Sequence, residues 1–390
     1  MLQSIKGSRL LRRSLILPFL ILIFTFSACG GSGGSGGGGS GSGGGSESPL
    51  GSEENPFLVY DETDLANVGS GNDGWDRWDK FHYKQMNDID LSTVTNWTPI
   101  SPEGFYGSYD GNGKTISNLK IDRPSEDKQG LFGLVGGTIK NVTLLNVDIK
   151  GQDYVGGIVG SSYTTIQNCS VNGNVTGRNE TGGIVGSFTG YDGLIQGCYF
   201  TGTVTGNYVG GIAGYADQSP KIQNCYVSAN VSGNGVADVA GGIVGYARGS
   251  DSIIEYCYVM GNVSASNFSA GGVVGQNYAS IRHCVALNNS VTTVSNADIA
   301  RRIIGGNIQG TFSNNYGSTG MTITYDNGAN NHSPVSNADY VDGLDVDPGT
   351  SSTQYGNQGF WTGIGGWDFN TVWEWDSTNN RPILQNVKGQ

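Results

Sequence analysis

One five-residue phrase, written seven times between Phe132 and Gly305, constrains this chain more than any other feature. It reads FGLVG at 132–136, GGIVG at 156–160 and 182–186, GGIAG at 210–214, GGIVG at 241–245, GGVVG at 271–275 and a decayed RRIIG at 301–305. The intervals are 24, 26, 28, 31, 30 and 30 residues, and a period of that size with variable spacers marks a stack of repeats. A second phrase follows each glycine phrase: IQNCSV from Ile166, IQGCYF from Ile195, IQNCYV from Ile222, IEYCYV from Ile254 and IRHCVA from Ile281. The same slot is read upstream in ISNLKI from Ile116 and IKNVTL from Ile139, and downstream in FSNNYG from Phe312. A third phrase, such as GNVTG at 173–177 or ANVSG at 229–233, closes most turns. Three short β-branched runs per period, separated by Gly, Asn and Ser, suit strands and are too short and aperiodic for helices. The expected fold is all-β, a parallel β-helix or β-solenoid of about eight coils.

Alternation places Cys169, Val171 and Val175 on one inward face. Ile166 precedes Cys169 by three residues, so a bend at Asn168 must supply an odd step, and Asn118, Asn141, Asn224 and Asn314 are read into the same corner. Such a column of amides can hydrogen-bond up and down the stack.

The rest of the chain tethers or closes this stack. Lys6, Arg9, Arg12 and Arg13 precede an apolar run from Leu15 to Phe26, too short to span a bilayer and suited to a signal-peptide core. Ser27-Ala28-Cys29 resembles the lipobox of bacterial lipoproteins, in which the cysteine becomes the lipidated first residue. A signal peptide at 1–28 is therefore expected, then lipidated Cys29 and a flexible Gly/Ser tether at 29–52, an N-terminal cap at 53–115, the repeat stack at 116–325 and a C-terminal cap at 326–390. All seven tryptophans fall in the two flanks, Trp75, Trp78 and Trp97 before the repeats and Trp361, Trp367, Trp373 and Trp375 after them. Bulky flanks of that kind suit covers for the open ends of a solenoid. The formal net charge of −12 argues against nucleic acid or anionic lipid as a partner, since both call for a basic face.

The phrases QMNDIDL from Gln85, NWTPI from Asn96, FYGSYDGNGKTISNL from Phe105, the repeated GGIVG and the closing WDFNTVWEWDSTNNRPIL from Trp367 together resemble GLUG-motif proteins. The resemblance runs from about Asn55 to Val387. It implies a bacterial surface or secreted protein, and with the lipobox at Cys29 the expected location is the bacterial cell envelope, lipid-anchored at the outer membrane or cell surface. Some proteins of this kind place such repeats ahead of a zinc-type immunoglobulin A protease domain; in this sequence His82, His283 and His332 lie far apart and there is no H-E-x-x-H.

Five cysteines, Cys169, Cys198, Cys225, Cys257 and Cys284, share one slot, which Val142 and Leu119 are read to fill earlier. An odd set on strands spaced about 4.8 Å apart suits neither complete disulfide pairing nor a tetrahedral metal site, so a structural ladder of free thiols is expected, with no metal and no cofactor. Two rows of tyrosine are legible. Tyr199, Tyr226 and Tyr258 follow the cysteines, with Tyr316 after Asn315, while Tyr163, Tyr191, Tyr215, Tyr246 and Tyr278 follow the glycine phrases in apparent loops. The second row is the candidate ligand-binding set, because aromatic rings offer contact area at small entropic cost and loops often carry function. Asp192, Asp217 and Asp251 come one per loop and read as turn residues.

The resulting expectation is a lipid-anchored, monomeric, non-catalytic scaffold that binds a glycan or a host or matrix protein. The alternatives are a carbohydrate-active β-helix enzyme, a polysaccharide lyase or glycosidase needing paired carboxylates or a carboxylate-bound calcium, and a purely structural envelope protein.

Overall fold

The computed structural model describes residues 48–70, 80–236, 238–294, 299–326, 328–337 and 339–390. The expected signal peptide, Cys29, most of the tether, Trp75 and Trp78 lie outside these residues. Within them the chain is a β-solenoid whose full coils turn through four strands, one more than the three phrases suggest. A representative coil runs Val155–Gly156, Val159–Ser162, Thr165–Gln167 and Ser170–Thr176. Strands of each kind pair in parallel with the coils on either side, forming sheets of six, seven, ten and thirteen strands among the described residues. The glycine phrase is the corner between the six- and seven-stranded sheets. Its second glycine faces the core from across the coil: a Cβ on Gly183 would overlap the Phe200 ring, and on Gly211 or Gly242 it would overlap Val227 or Val259. Gly is needed there for close approach.

The inward isoleucines Ile166, Ile195, Ile222, Ile254 and Ile281 stand in strict register and are buried. The corner that follows takes a left-handed conformation, with φ of 53° at Asn168, 56° at Asn141, 52° at Asn224, 62° at Gly197 and 53° at Asn314. That single αL residue breaks the strand alternation, so both Ile166 and Cys169 point inward. Asn tolerates αL and its amide also links rungs: Asn168 donates to Asn141 at 3.4 Å and Asn141 to Asp110 at 2.9 Å. Tyr256 and His283 adopt the same conformation, at 52° and 53°, with their rings stacked 5.1 Å apart.

One upstream register differs from expectation. Ile116 pairs with Leu144, and the slot of Ile139 is held by Tyr109. Asn118 accordingly stacks on Asn146, which donates to it at 2.6 Å, and both are left-handed. Asn118 and Leu119 therefore lie outside the corner and cysteine columns. The turn at Asp110–Gly113 is itself the corner of that coil, so the following strands, Thr115–Ser117 and Lys120–Asp122, both lie along Thr143–Lys150.

The ten-stranded sheet sets the coil count near ten, against the eight expected. Its first strands, Phe57–Val59, His82–Gln85 and Ser108–Asp110, lie inside 53–115 and carry no glycine phrase. Aromatic Tyr83 and Tyr109 take the place of isoleucine in the inward column.

The C-terminal tryptophans differ most from expectation. Trp361, Trp367 and Trp373 do not close the end of the stack; they pack on its side, in one buried cluster with Tyr199, Tyr226, Tyr258 and Val285. The helix Gln358–Gly363 and the antiparallel hairpin Trp373–Asp376/Arg381–Leu384 form this lateral module. Its tail reaches back along the sheet, where the Lys388 carbonyl accepts from Ser170 at 2.7 Å and Gln390 from Tyr226 at 2.9 Å. At the far end of the stack Tyr316–Ser318 pairs with Leu344–Val346, held by the decayed repeat. Arg302, 1 % exposed, donates to Asp345 at 2.7 Å and to the carbonyls of Gly317 and Gly343 at 3.1 and 3.2 Å.

Candidate functional site

The seven-stranded sheet carries an outward column that reads, in register, Leu134, Ser161, Ser187, Tyr215, Tyr246, Gln276 and Gly306. Tyr215 and Tyr246 thus belong to strands, Ala213–Gln218 and Val244–Ala247, and not to the loops in which they were expected. Their rings meet edge to face at 5.7 Å. Tyr278, from the following corner, lies 6.1 Å from Tyr246. Tyr208, absent from the sequence-based set, joins from the six-stranded sheet at 5.6 Å. Its signal in the sequence was an aromatic placed two residues before a glycine phrase. Burial, followed by the hydrogen bond with Tyr278, pushes the Tyr246 hydroxyl up to about 12, so that ring is a neutral phenol at physiological pH.

Charged groups frame this cluster. Tyr215 donates to Asp217 at 3.0 Å, and Arg248 donates to the Tyr215 oxygen at 3.1 Å and pairs with Asp217 at 3.5 Å. Glu180 stands in register with Tyr208. Burial raises its carboxyl above the usual range against a hydrogen bond from Ser187, and the charges of Asp153 and Asp217 add to the rise. One of its oxygens is buried with no hydrogen-bond partner.

The two remaining candidates stand apart from the cluster. Tyr163 hydrogen-bonds Tyr106 above Gly136, and Tyr191 is 74 % exposed at a neighbouring corner. The five tyrosines therefore do not form one row. The offset of each tyrosine from its glycine phrase varies: Tyr215 and Tyr246 follow it directly and stand in the sheet, while Tyr163, Tyr278 and Tyr191 come further on and stand at the corner.

The cysteine column is buried and unpaired throughout. Burial pushes the thiols of Cys169, Cys198 and Cys257 well up, and each ladder thiol has a carbonyl two residues back, as Cys225 has Gln223 at 3.2 Å. Among the described residues no three His, Cys, Asp or Glu side chains converge as metal ligands. The histidines serve separate neighbourhoods: His82 meets Ser108 at 2.6 Å, His283 stacks on Tyr256, and His332 meets Asp342 at 2.9 Å.

The family model of the GLUG motif matches residues 151–176, 205–232 and 266–292. Halomucin of Haloquadratum walsbyi is 37 % identical over 87 residues, which is 20 % of this chain and 1 % of that protein, so the chain spans only a small part of that relative. A crystal structure of a Bacteroides ovatus protein, provisionally assigned as an immunoglobulin A1 protease, is similar with a TM-score of 0.59 and 24 % identity over 88 % of this chain and 96 % of that one. At that identity the likeness shows the fold.

Proposed function

We infer that this chain, a β-solenoid built on GLUG-motif repeats, is a surface protein that binds a glycan or a host or matrix protein without transforming it. In this reading Cys29 carries a lipid, the Gly/Ser segment spaces the solenoid from a bacterial envelope, and the exposed side of the seven-stranded sheet meets the ligand. The observation that carries the reading is the contiguous group Tyr208, Tyr215, Tyr246 and Tyr278. Rings held edge to face on consecutive rungs give a preorganised apolar area, and Arg248, Asp217 and Glu180 at its margin supply directional polar groups.

The test is an array of glycans and matrix proteins probed with the full chain and with a variant carrying Ser at 208, 215 and 246. Binding by the parent and its loss in the variant is the expected result. Binding that survives all three substitutions places the ligand elsewhere.

A second reading, polysaccharide cleavage, has one observation in its favour: Glu180, with its raised carboxyl and one oxygen lacking a hydrogen-bond partner, feels the charge of Asp217, and a pair of carboxyls is what acid-assisted glycoside hydrolysis uses. Release of reducing ends or unsaturated products from a polysaccharide panel, abolished in Glu180→Gln, would establish it.

A further inference from the structure

A groove of about 440 Å³ runs along the corner between the seven- and ten-stranded sheets near the start of the stack. Its floor is the outward column of the ten-stranded sheet, where His82, Ser108, Thr138 and Thr165 stand on consecutive rungs in register. Four rungs span roughly 14 Å at the spacing of paired strands. The floor therefore presents an imidazole and three hydroxyls at regular intervals along a straight line. His82 and Ser108 are already bonded to each other at 2.6 Å, which fixes both side chains, and the Thr164 hydroxyl is held by the Gly137 carbonyl.

Two rings form a wall. Tyr106 and Tyr163 come from corners of different coils, hydrogen-bond through their side chains and lie over Gly136, where a Cβ would collide with both. A glycine at this point is what lets the rings settle against the backbone and remain as a rigid pair. Burial, followed by the Tyr106 hydrogen bond, raises the Tyr163 hydroxyl above the usual phenol range.

We propose that this groove is a binding site for a neutral, linear oligosaccharide lying parallel to the solenoid axis. The pairing of an aromatic wall with a ladder of hydroxyl donors and acceptors matches a sugar chain, whose rings alternate apolar C–H faces with hydroxyl edges. Repetition along the floor matches a polymer of repeating units better than a single compact molecule. The charge balance selects a neutral chain: Lys80 and Asp192 border the groove with opposite signs, and among its described lining residues there is no arginine to take a carboxylate in two parallel hydrogen bonds. The site is separate from the tyrosine cluster of the seven-stranded sheet and stands or falls independently of it.

The experiment is titration calorimetry of the full chain with tri- to hexasaccharides of cellulose, xylan, mannan and chitin, and with galacturonate oligomers as the charged comparison. Tyr163→Ala removes half of the wall, and Thr165→Arg fills the floor while leaving both rings in place; Tyr246→Ser reports on the separate tyrosine cluster, and Asn262→Ser, exposed on the thirteen-stranded sheet, is the distant control. The expected result is binding of at least one neutral series, weakened about tenfold or more by each groove variant and unchanged in the control. Circular dichroism melts confirm folding, and Thr165→Arg carries the test if Tyr163→Ala fails to fold. Absence of binding to every neutral series, preference for the uronates, or binding that Tyr246→Ser abolishes and the groove variants spare would each overturn the proposal.

Discussion

The rings of Tyr226 and Tyr258 lie 4.8 Å apart and within 2° of parallel, one strand spacing along the stack, and Tyr199 continues the column at 4.3 Å from Tyr226. Register produces this stack, because identical residues on adjacent parallel strands must superpose. The C-terminal module uses it as a mounting surface: Trp361 and Trp373 reach Tyr258 at 5.3 and 5.9 Å, and the Tyr258 hydroxyl donates to the Pro382 carbonyl at 2.6 Å.

Replacing Tyr258 by Ala should therefore release the C-terminal module before the solenoid melts. The loss is about 3–5 kcal/mol of local stability, the range for deleting a buried aromatic side chain. Tryptophan fluorescence during urea titration should show an early transition that far-ultraviolet circular dichroism does not. Coincident transitions unchanged from the parent would show that Tyr258 does not hold the module.

The thiol ladder should tolerate an apolar replacement better than a hydroxyl. In Cys225→Ser the new hydroxyl has the Gln223 carbonyl within reach of the parent thiol, so the cost is about 1–2 kcal/mol. Cys225→Val should stay within about 1 kcal/mol, because Val142 occupies the equivalent place in an earlier coil and is fully buried. Denaturant melts measure both, and thiol titration of the denatured, unreduced chain should count all five ladder thiols as free.

Two glutamates should give opposite pH signatures. The raised carboxyl of Glu180 contributes stability that is complete below the unfolded value and lost as pH rises through the folded one, so Glu180→Gln should raise Tm at neutral pH and lose that advantage in acid. Burial alone would raise Glu255, but the side-chain hydrogen bonds of Lys221 and Arg282 outweigh it and the carboxyl is lowered. Its contribution is present above the unfolded value and fades as pH falls through the folded one, so Glu255→Gln should lower Tm at neutral pH and converge with the parent in acid. Parallel curves for either variant between acid and neutral pH would contradict the assignment.

Arg302→Ala should open the far end of the stack. It leaves two backbone carbonyls without their donor, a loss of about 1–3 kcal/mol for unpaired acceptors, while Asp345, half-exposed, is solvated in its place. The freed strand edge should then associate with other copies. Light scattering should show concentration-dependent oligomers in the variant and none in the parent.

Cys29→Ala tests the proposed anchor. With the lipid gone, the variant should leave the membrane fraction after a salt wash with the folded body intact. Full retention in that fraction would exclude lipidation at Cys29 as the attachment.

The period of the glycine phrase and the β-branched runs after it were enough to specify a parallel solenoid, because stacking copies one coil's constraints onto the next. The shared slot of Cys169 and Cys225, and the bend at Asn168 that brings Ile166 inward beside Cys169, were legible for the same reason. Where repetition stopped, so did legibility. The first coils place Tyr83 and Tyr109 in the isoleucine column without a glycine phrase, and Asn118 falls one strand away from its lookalikes. Tertiary structure alone decided that Tyr208 joins Tyr246 from another sheet, that Tyr106 joins Tyr163 from another coil, and that Trp373 covers a side of the stack and not its end. Those contacts depend on the lengths of individual corners and on which outward face offers the largest apolar area to a folding tail, and neither quantity is periodic along the chain.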